Sequence, residues 1–505
     1  MSSVGLLRRE AMEPRKKKTN IKYAFTCAMT ASMASIVLGY DIGVMSGASL
    51  YIKKDLDLTD VQVEILVGIL SIYSLLGSFA AGRTSDWIGR RFTVLFVAAF
   101  FFAGALIMGS AVNYAALMLG RLVAGIGVGY GVVIAPLYTA EISPPSARGF
   151  LTSFPEVFIN LGILLGYVSS YAFARMPLHL GWRLMLGIGA APSLMLALLL
   201  SGMPESPRWL VMKGRLADAR AVLEKTADTP EEALERLADI KAAAAGIDAD
   251  GLDEKQVWRE LVASPTPTVR RILITALGLH FFQQATGSDS VVLYSPRLFQ
   301  SAGLAGDDQL LAATCAMGVT KTLVVLISMF LLDHVGRRPL LLCSTAGVVV
   351  SLVGLATGLT IVGQNPEDTR IPWAAGLCVA SVLAYVSSFS VGLGPVAGVY
   401  TSEIFPLRVR ALGFALGMAC NRVVSGVMSM TFLSLSSAVT IGGTFFLYAG
   451  VAVVAWVFFF TCLPETRGRA LEDMASLFDT GTAQDASPVK HTAGCRATLL
   501  GSSLS

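Results

Sequence analysis

The chain has 505 residues, of which 54% are apolar and only 15% charged, whereas soluble domains carry roughly a quarter charged residues. That balance excludes a soluble globular enzyme and a disordered chain, and points to a polytopic membrane protein. The formal net charge of +4, from 39 basic and 35 acidic residues, gives no footprint for nucleic acid and follows instead from how basic residues are distributed about a membrane.

The first 22 residues are polar and basic, and the full-length apolar segment behind them has no small-residue cleavage site, so they read as a tail and not as a cleavable signal. Apolar segments of about 20 residues, each long enough to cross about 30 Å of hydrocarbon as a helix, are predicted to start near Tyr23, Gln62, Phe92, Tyr114, Gly149, Trp182, Arg271, Leu310, Pro339, Ile371, Leu407 and Thr440. Six make a half over 23–203 and six a second half over 269–463. Between them, 204–268 holds RLADARAVLEKTADTPEEALERLADIKAAAAG, whose charge and apolar spacing predict short amphipathic helices, and 464–505 forms a polar tail. The expected fold is thus an all-α membrane protein of twelve transmembrane helices with a helical linker at its centre.

Arg15, Lys16, Lys17 and Lys18 flank the first span, and Arg83, Arg90, Arg91, Arg148, Arg208, Lys213, Arg337, Arg338, Arg408 and Arg410 fall in alternate short loops or their flanks. The positive-inside rule places those loops, the linker and both termini in the cytoplasm. The intervening loops, such as QNPEDTRIP, are poor in basic residues, apart from Lys53 and Lys54. The seven cysteines are scattered, with no CxxC and no histidine cluster, so no disulfide framework, metal site or cofactor is expected. Cys495 in the tail reads as an idle thiol.

The halves repeat one another. GRTSDWIGRR (82–91) is echoed by LLDHVGRRP (331–339), PLYTAEISPPSARG (136–149) by GVYTSEIFPLRVRALG (398–413), and PESPRWL (204–210) by PETRGRALE (464–472). An even number of spans separates each pair, so the repeats are parallel, related by an axis along the membrane normal, which is the architecture of a rocking transporter with its site near the midplane between halves. The charges of these motifs suggest networks across the cytoplasmic face that form and break with that motion. One joins Asp86, Arg90 and Arg91 to Glu403, and its counterpart joins Asp333, Arg337 and Arg338 to Glu141, with Arg148 and Arg408 beside them.

Ionisable residues inside a span cost several kcal/mol unless they face a cavity or a partner, which makes each a functional candidate. Asp41, Arg121, Glu156, Asp289, Lys321 and Arg422 are predicted to be such residues. FFQQATGSD (281–289) adds two amides. On one straight helix Asp289 would point about 140° away from Gln284, so Gly287 and Ser288 are expected to break the helix, as discontinuous transporter helices do beside a substrate cavity. Gln283 and Gln284 offer donors and acceptors suited to hydroxyl-rich neutral ligands, and Asp289 adds an acceptor.

GRTSDWIGRR, PESPRWL, QQATGSDSVVLYSP, GPVAGVYTSEIFP and PETRG together resemble the sugar porter family of the major facilitator superfamily over both halves. With PEVFINLGILLGY and MACNRVVSG, the chain is most similar to the plant branch of polyol and monosaccharide transporters. The resemblance implies the major facilitator fold and proton-coupled symport of linear polyols or monosaccharides, with the solute, the proton and the bilayer as partners. It places Gln283, Gln284, Asn421 and Phe389 on the solute, makes Tyr294 a gate, and makes Asp41 and Arg121 the proton-coupling pair. Hexose porters carry an amide where this chain has Glu156, an Asn where it has Asp289, another Asn where it has Lys321, and a Trp where it has Gly398. Lys321 is expected to neutralise one of the two carboxylates, and Gly398 to enlarge the site by removing an apolar floor. An uncoupled facilitator and a sugar sensor are the alternatives. An enzyme is not expected, since no nucleophile, base and metal cluster appears. The plasma membrane is preferred over the vacuole.

Overall fold

The computed structural model describes residues 21–144, 148–227, 229–249, 263–304, 306–364, 372–406 and 409–467, with Trp258, Leu261, Leu477 and Phe478. Among these residues regular structure is helical throughout, and no strand occurs. A chain this apolar leaves its peptide groups no water to bond, and the helix satisfies them internally.

The first half contains α1 (Ile21–Asp55), α2 (Asp60–Ile88), α3 (Arg90–Gly109), α4 (Tyr114–Ile142), the short α5 (Arg148–Thr152) leading into α6 (Phe154–Phe173), and a sixth span split into α7 (Leu178–Gly187) and α8 (Ala190–Leu199). Three helices follow, α9 (Pro207–Met212), α10 (Leu216–Thr226) and α11 (Pro230–Ala249). They close over a small apolar cluster of their own that includes Leu210, Leu223 and Leu237. The second half begins with α12 (Pro267–Ala285), α13 (Ser288–Leu293) and α14 (Ser295–Ser301), and continues with α15 (Asp307–Val335), α16 (Arg337–Gln364), α17 (Pro372–Val391), α18 (Leu393–Ile404), α19 (Arg410–Val439) and α20 (Ile441–Cys462).

Among the described residues, eleven stretches are long and apolar enough to cross a membrane. The twelfth expected span is the one broken into α12, α13 and α14, and its interruption carries the two amides and Asp289. The two halves meet where α2 packs on α19, α6 on α15, and α1 on α13 and α14. Because α2 ends at Gly89 beside Glu205, next to α9, its beginning lies on the opposite side of the molecule. The side bearing α9–α11 is called the linker face below, and the other the far face.

Within the first half α1 and α6 cross so closely that a Cβ at Gly39, Gly43, Gly162 or Gly166 would overlap backbone of the facing helix. Small residues let membrane helices gain van der Waals contact and exclude lipid. Gly450, on α20, has open space around it instead. The same substitution should therefore act in opposite directions. Gly162→Ala is expected to cost about 1–3 kcal/mol through overpacking and to lower the thermal unfolding midpoint of the purified protein. Gly450→Ala gains helix propensity of about 0.5–1 kcal/mol and should leave the midpoint unchanged or raise it.

Candidate functional site

The break in the seventh span arises where the sequence anticipates it. α12 ends at Ala285, Gly287 adopts a left-handed conformation (φ +86°), and α13 starts at Ser288. A side chain at Gly287 would also run into the Tyr448 ring. The consequence is that residues which a straight helix would splay apart all turn to α19. Asn421 Nδ2 donates to Gln283 Oε1 at 2.8 Å, Gln284 Nε2 donates to Asn421 Oδ1 at 3.2 Å, and Ser425 Oγ donates to Asp289 Oδ2. Asn421 and Ser425 are four residues apart and so share one face of α19. Ser288 Oγ donates to Gln284 Oε1 at 2.8 Å, and the Arg422 guanidinium donates to Asn421 Oδ1 at 2.7 Å.

The tenth span is interrupted at Gly392, between α17 and α18. Gln283 Nε2 donates there to the carbonyls of Leu393 and Gly394, at 3.1 and 3.0 Å. Phe389, half-buried, stacks on Tyr385 with ring centroids 6.3 Å apart. A Cβ at Gly398 would meet nothing within 4 Å, so this position opens onto empty space.

Glu156 lies in the first turn of α6 and accepts a 3.4 Å bond from Asn160 Nδ2. Lys321 on α15 comes within electrostatic reach of both Glu156 and Asp289. It closes no direct ion pair with either among the described residues, and the two carboxylates stand on different elements, α6 and α13. Tyr294 is buried, donates from its hydroxyl to Ser429 O at 2.8 Å, and stacks on Phe432 at 5.0 Å.

Asp41 and Arg121 form a second, deeper centre. Arg121 Nη1 donates to Asp41 Oδ2 at 2.6 Å, with both side chains buried. The other guanidinium nitrogens bond carbonyls of α2, Nε to Leu66 O and Nη2 to Val67 O, each at 3.0 Å. The pair thus ties α1 and α4 to the second turn of α2.

On the linker face the repeated motifs assemble one clamp twice. Gly89 and Gly336 both take φ +102°. Each lets a glutamate from the end of its own half cap the following helix. Glu205 accepts from the backbone N–H groups of Arg90 and Arg91, and Glu465 from those of Arg337 and Arg338. Arg90 Nε donates to Glu141 at 3.1 Å, while Ser206 Oγ donates to the same carboxylate. In the second half Arg337 Nη2 donates to Glu403 at 2.9 Å, and Thr466 Oγ1 donates to Glu403 at 2.7 Å. Tyr138 and Tyr400 donate to the carbonyls of Pro204 and Pro464, at 2.9 and 3.0 Å. Asp86 pairs with Arg90 at 2.9 Å.

The cross-half grouping expected of an outward-open state is not formed in this structure. Glu141 serves Arg90 and Glu403 serves Arg337, because the turn after α2 abuts the end of α4 in the same half, and the turn after α15 likewise abuts the end of α18. Arg91 and Arg338 reach carbonyls of their own halves, Ser201 O and Phe460 O, at 3.2 and 2.7 Å. The side chains of Arg148 and Asp333, and Arg408 as a whole, lie outside the described residues. Burial pushes the Glu205 carboxyl up from its ordinary value of 4.5, against the pull of the backbone N–H groups and of Arg90.

Sequence reasoning missed Glu64. This carboxylate in α2 is 1% exposed, and accepts from Ser434 N at 2.7 Å and Ser434 Oγ at 2.5 Å. Its signal was an acid one turn after Asp60, which reads as a helix end at the membrane surface. Ser71 and Ser425 were missed as well, since hydroxyls inside spans are common.

The family described as sugar (and other) transporter matches residues 27–478. Among curated relatives, polyol transporter 5 of Arabidopsis thaliana is 59% identical over 480 residues, spanning 93% of this chain and 88% of that protein. Putative polyol transporter 1 of the same plant is 58% identical, spanning 95% of each chain. Among solved structures, the proton:xylose symporter XylE bound to 6-bromo-6-deoxy-D-glucose superposes with a TM-score of 0.76 at 26% identity, covering 91% of this chain and all of that one. A partially occluded, inward-open XylE from E. coli matches with a TM-score of 0.74 at 25% identity.

The Glu205 clamp has a testable electrostatic signature. Its folded-state value lies above the ordinary 4.5, so the charged form is penalised on folding. The stability linked to this carboxyl is full below that pH and is lost as the pH rises through the folded value. Melting curves between about pH 4 and 7 should show this downward component in the parent, and not in Glu205→Gln. Glu205→Ala should lower the midpoint throughout, since orphaned helix N–H groups cost about 1–3 kcal/mol.

Proposed function

The chain belongs to the sugar transporter family of the major facilitator superfamily, and from that premise we propose that it carries linear polyols or monosaccharides across a membrane together with a proton. The observation that carries this reading is the buried Asp41–Arg121 pair at 2.6 Å, set apart from a hydroxyl-matching site at a helix break. The relatives named above support the solute class. The solved structures support the coupling.

The substrate site is the space bordered by Gln283, Gln284, Asn421, Asp289, Glu156, Lys321, Phe389 and Gly398. The amides donate and accept, the carboxylates accept only, and the Lys321 ammonium donates only. Such a set matches a chain of hydroxyl groups, each of which does both. Lys321 offsets one of the two carboxylates, so that a neutral solute can enter without a counter-ion. The absence of a side chain at Gly398 leaves room for an extended solute in place of an apolar platform under a ring.

Coupling follows from elementary electrostatics. A carboxyl group shielded from water prefers to hold its proton, and an approaching guanidinium makes it release that proton. Any movement of α1 against α4 that changes the Asp41–Arg121 separation therefore converts position into proton affinity. In this structure the two are in contact, which corresponds to the state after proton release. The side-chain ties between halves beside Tyr294, Ser46 with Ser295 and Asp60 with Arg297, lie on the far face, while the charged clamps of the linker face stay inside each half. By the positive-inside reading of the linker, this arrangement is inward-facing, with Tyr294 closing the outer side. About two pH units and 100 mV supply roughly 5 kcal/mol per proton, enough for more than about a thousandfold accumulation of a neutral solute. The plasma membrane is the proposed site of action.

Uptake of labelled sorbitol by a transport-deficient cell expressing the chain should rise in acid, collapse with a protonophore, and lose accumulation in Asp41→Asn. Uptake indifferent to pH and protonophore would identify a facilitator and reject the coupling. Lys321→Met should weaken polyol affinity. Gly398→Trp should tighten the half-saturation concentration for a ring sugar by roughly three- to tenfold through the stacking it restores.

A further inference from the structure

The seam between α2 and α19 contains a charged contact that the substrate site and the proton pair do not use. Glu64 is 1% exposed. Both of its oxygens are committed across the seam to a single residue of the other half, Oε1 to Ser434 N–H at 2.7 Å and Oε2 to Ser434 O–H at 2.5 Å. Among the described residues no cation is ion-paired with it, so these two bonds hold the carboxylate in place of water. A buried carboxylate without its donors is strongly disfavoured, and charge-assisted bonds to it are about twice as strong as neutral ones. The contact therefore resists separation of the halves on this face, whereas its neighbour at the same edge, Asp60–Arg297 at 3.0 Å, leaves Asp60 half exposed and contributes little.

The same seam reaches inward to the substrate site. Ser425 commits its proton to Asp289, so the 3.0 Å contact between Ser71 of α2 and Ser425 must have Ser71 as the donor. Between these two ties, at Leu66 and Val67, α2 receives Arg121. The segment from Glu64 to Ser71 is thus where α2 meets the other half at two points and the buried arginine at a third.

We propose that Glu64 is a latch that holds the far face shut, a positioning residue for transport that keeps α2 against α19 until the protein turns outward. The proposal rests on the alternating-access reading above, but its test needs neither substrate nor gradient. With the latch released, the closed far face should open more often and its buried wall should meet water. Ser295, fully buried and 3.1 Å from Ser46 across the halves, reports that opening as Ser295→Cys.

The full chain, reconstituted in nanodiscs where both faces are accessible, would be labelled with a hydrophilic maleimide and read by peptide mass spectrometry. Glu64→Ala in the Ser295→Cys background should speed labelling at 295 by about tenfold or more, the scale of losing bonds to a charged group. Glu64→Gln, which keeps its size and one acceptor, should give a smaller rise in the same direction. Ser434→Ala should add little on top of Glu64→Ala, because the partner carboxylate is already gone. Cys378, a fully buried native thiol of the second half, should stay unlabelled throughout. Unchanged labelling at 295 in both Glu64 variants would overturn the latch. So would effects of Glu64→Ala and Ser434→Ala that multiply, or an equal rise at Cys378, which marks general loosening and not a gate. Loss of sorbitol uptake in the parent would instead count against the proposed function and leave this result standing.

Discussion

A peptide group inside a bilayer has no water to bond, so every departure from the helix must find a partner in the protein. The rest of this molecule depends on that constraint. At the break of the seventh span the Thr286 carbonyl accepts from the Tyr385 hydroxyl at 3.2 Å. At the interruption of the tenth, Gln283 serves two carbonyls, while Ser344 Oγ accepts from Leu393 N–H at 2.9 Å. The side chains that satisfy the broken backbone thus include one proposed to bind the solute. The cost of irregular backbone is thus met in part by a residue proposed to border the solute.

Charge follows the same logic. The buried arginine has a carboxylate and two carbonyls, leaving none of its nitrogens without an acceptor. Removing one partner of such a pair typically costs about 3–5 kcal/mol, which is why a mobile ion pair can drive a conformational change. Lys321 is different. It lies within electrostatic reach of two carboxylates without closing an ion pair with either among the described residues, which leaves its ammonium for the solute proposed above.

The pseudo-two-fold repeat divides the labour. Each half carries a rigid clamp on the linker face, built from its own GRR turn, its own glutamate at the end of the fourth or tenth span, and its own PE motif. The clamps make each half a unit. What joins the units is a set of contacts on the other face and through the middle, where Glu64 reaches Ser434, Ser71 meets Ser425 and Ser46 meets Ser295 across the halves. Rigid halves with a divided seam are what rocking about a central site requires.

Hydropathy and charge spacing by themselves determined the spans, their grouping into two parallel halves, the helical linker and the discontinuity at Gly287, because each is a local consequence of composition or of one residue's backbone freedom. The membership of Gln283, Gln284, Asp289, Asp41 and Arg121 in the list of candidates was legible for the same reason, since polar groups stand out against an apolar background. Pairing was not. That Arg90 takes Glu141 and not Glu403, that Asn421 joins both glutamines, and that Glu64 crosses to Ser434 depend on which helix ends are neighbours, and no local pattern encodes that distance. Glu64 shows the limit most clearly: near a span end an acid looks solvated, and only the packing of α19 over it removes the water and gives it two donors instead.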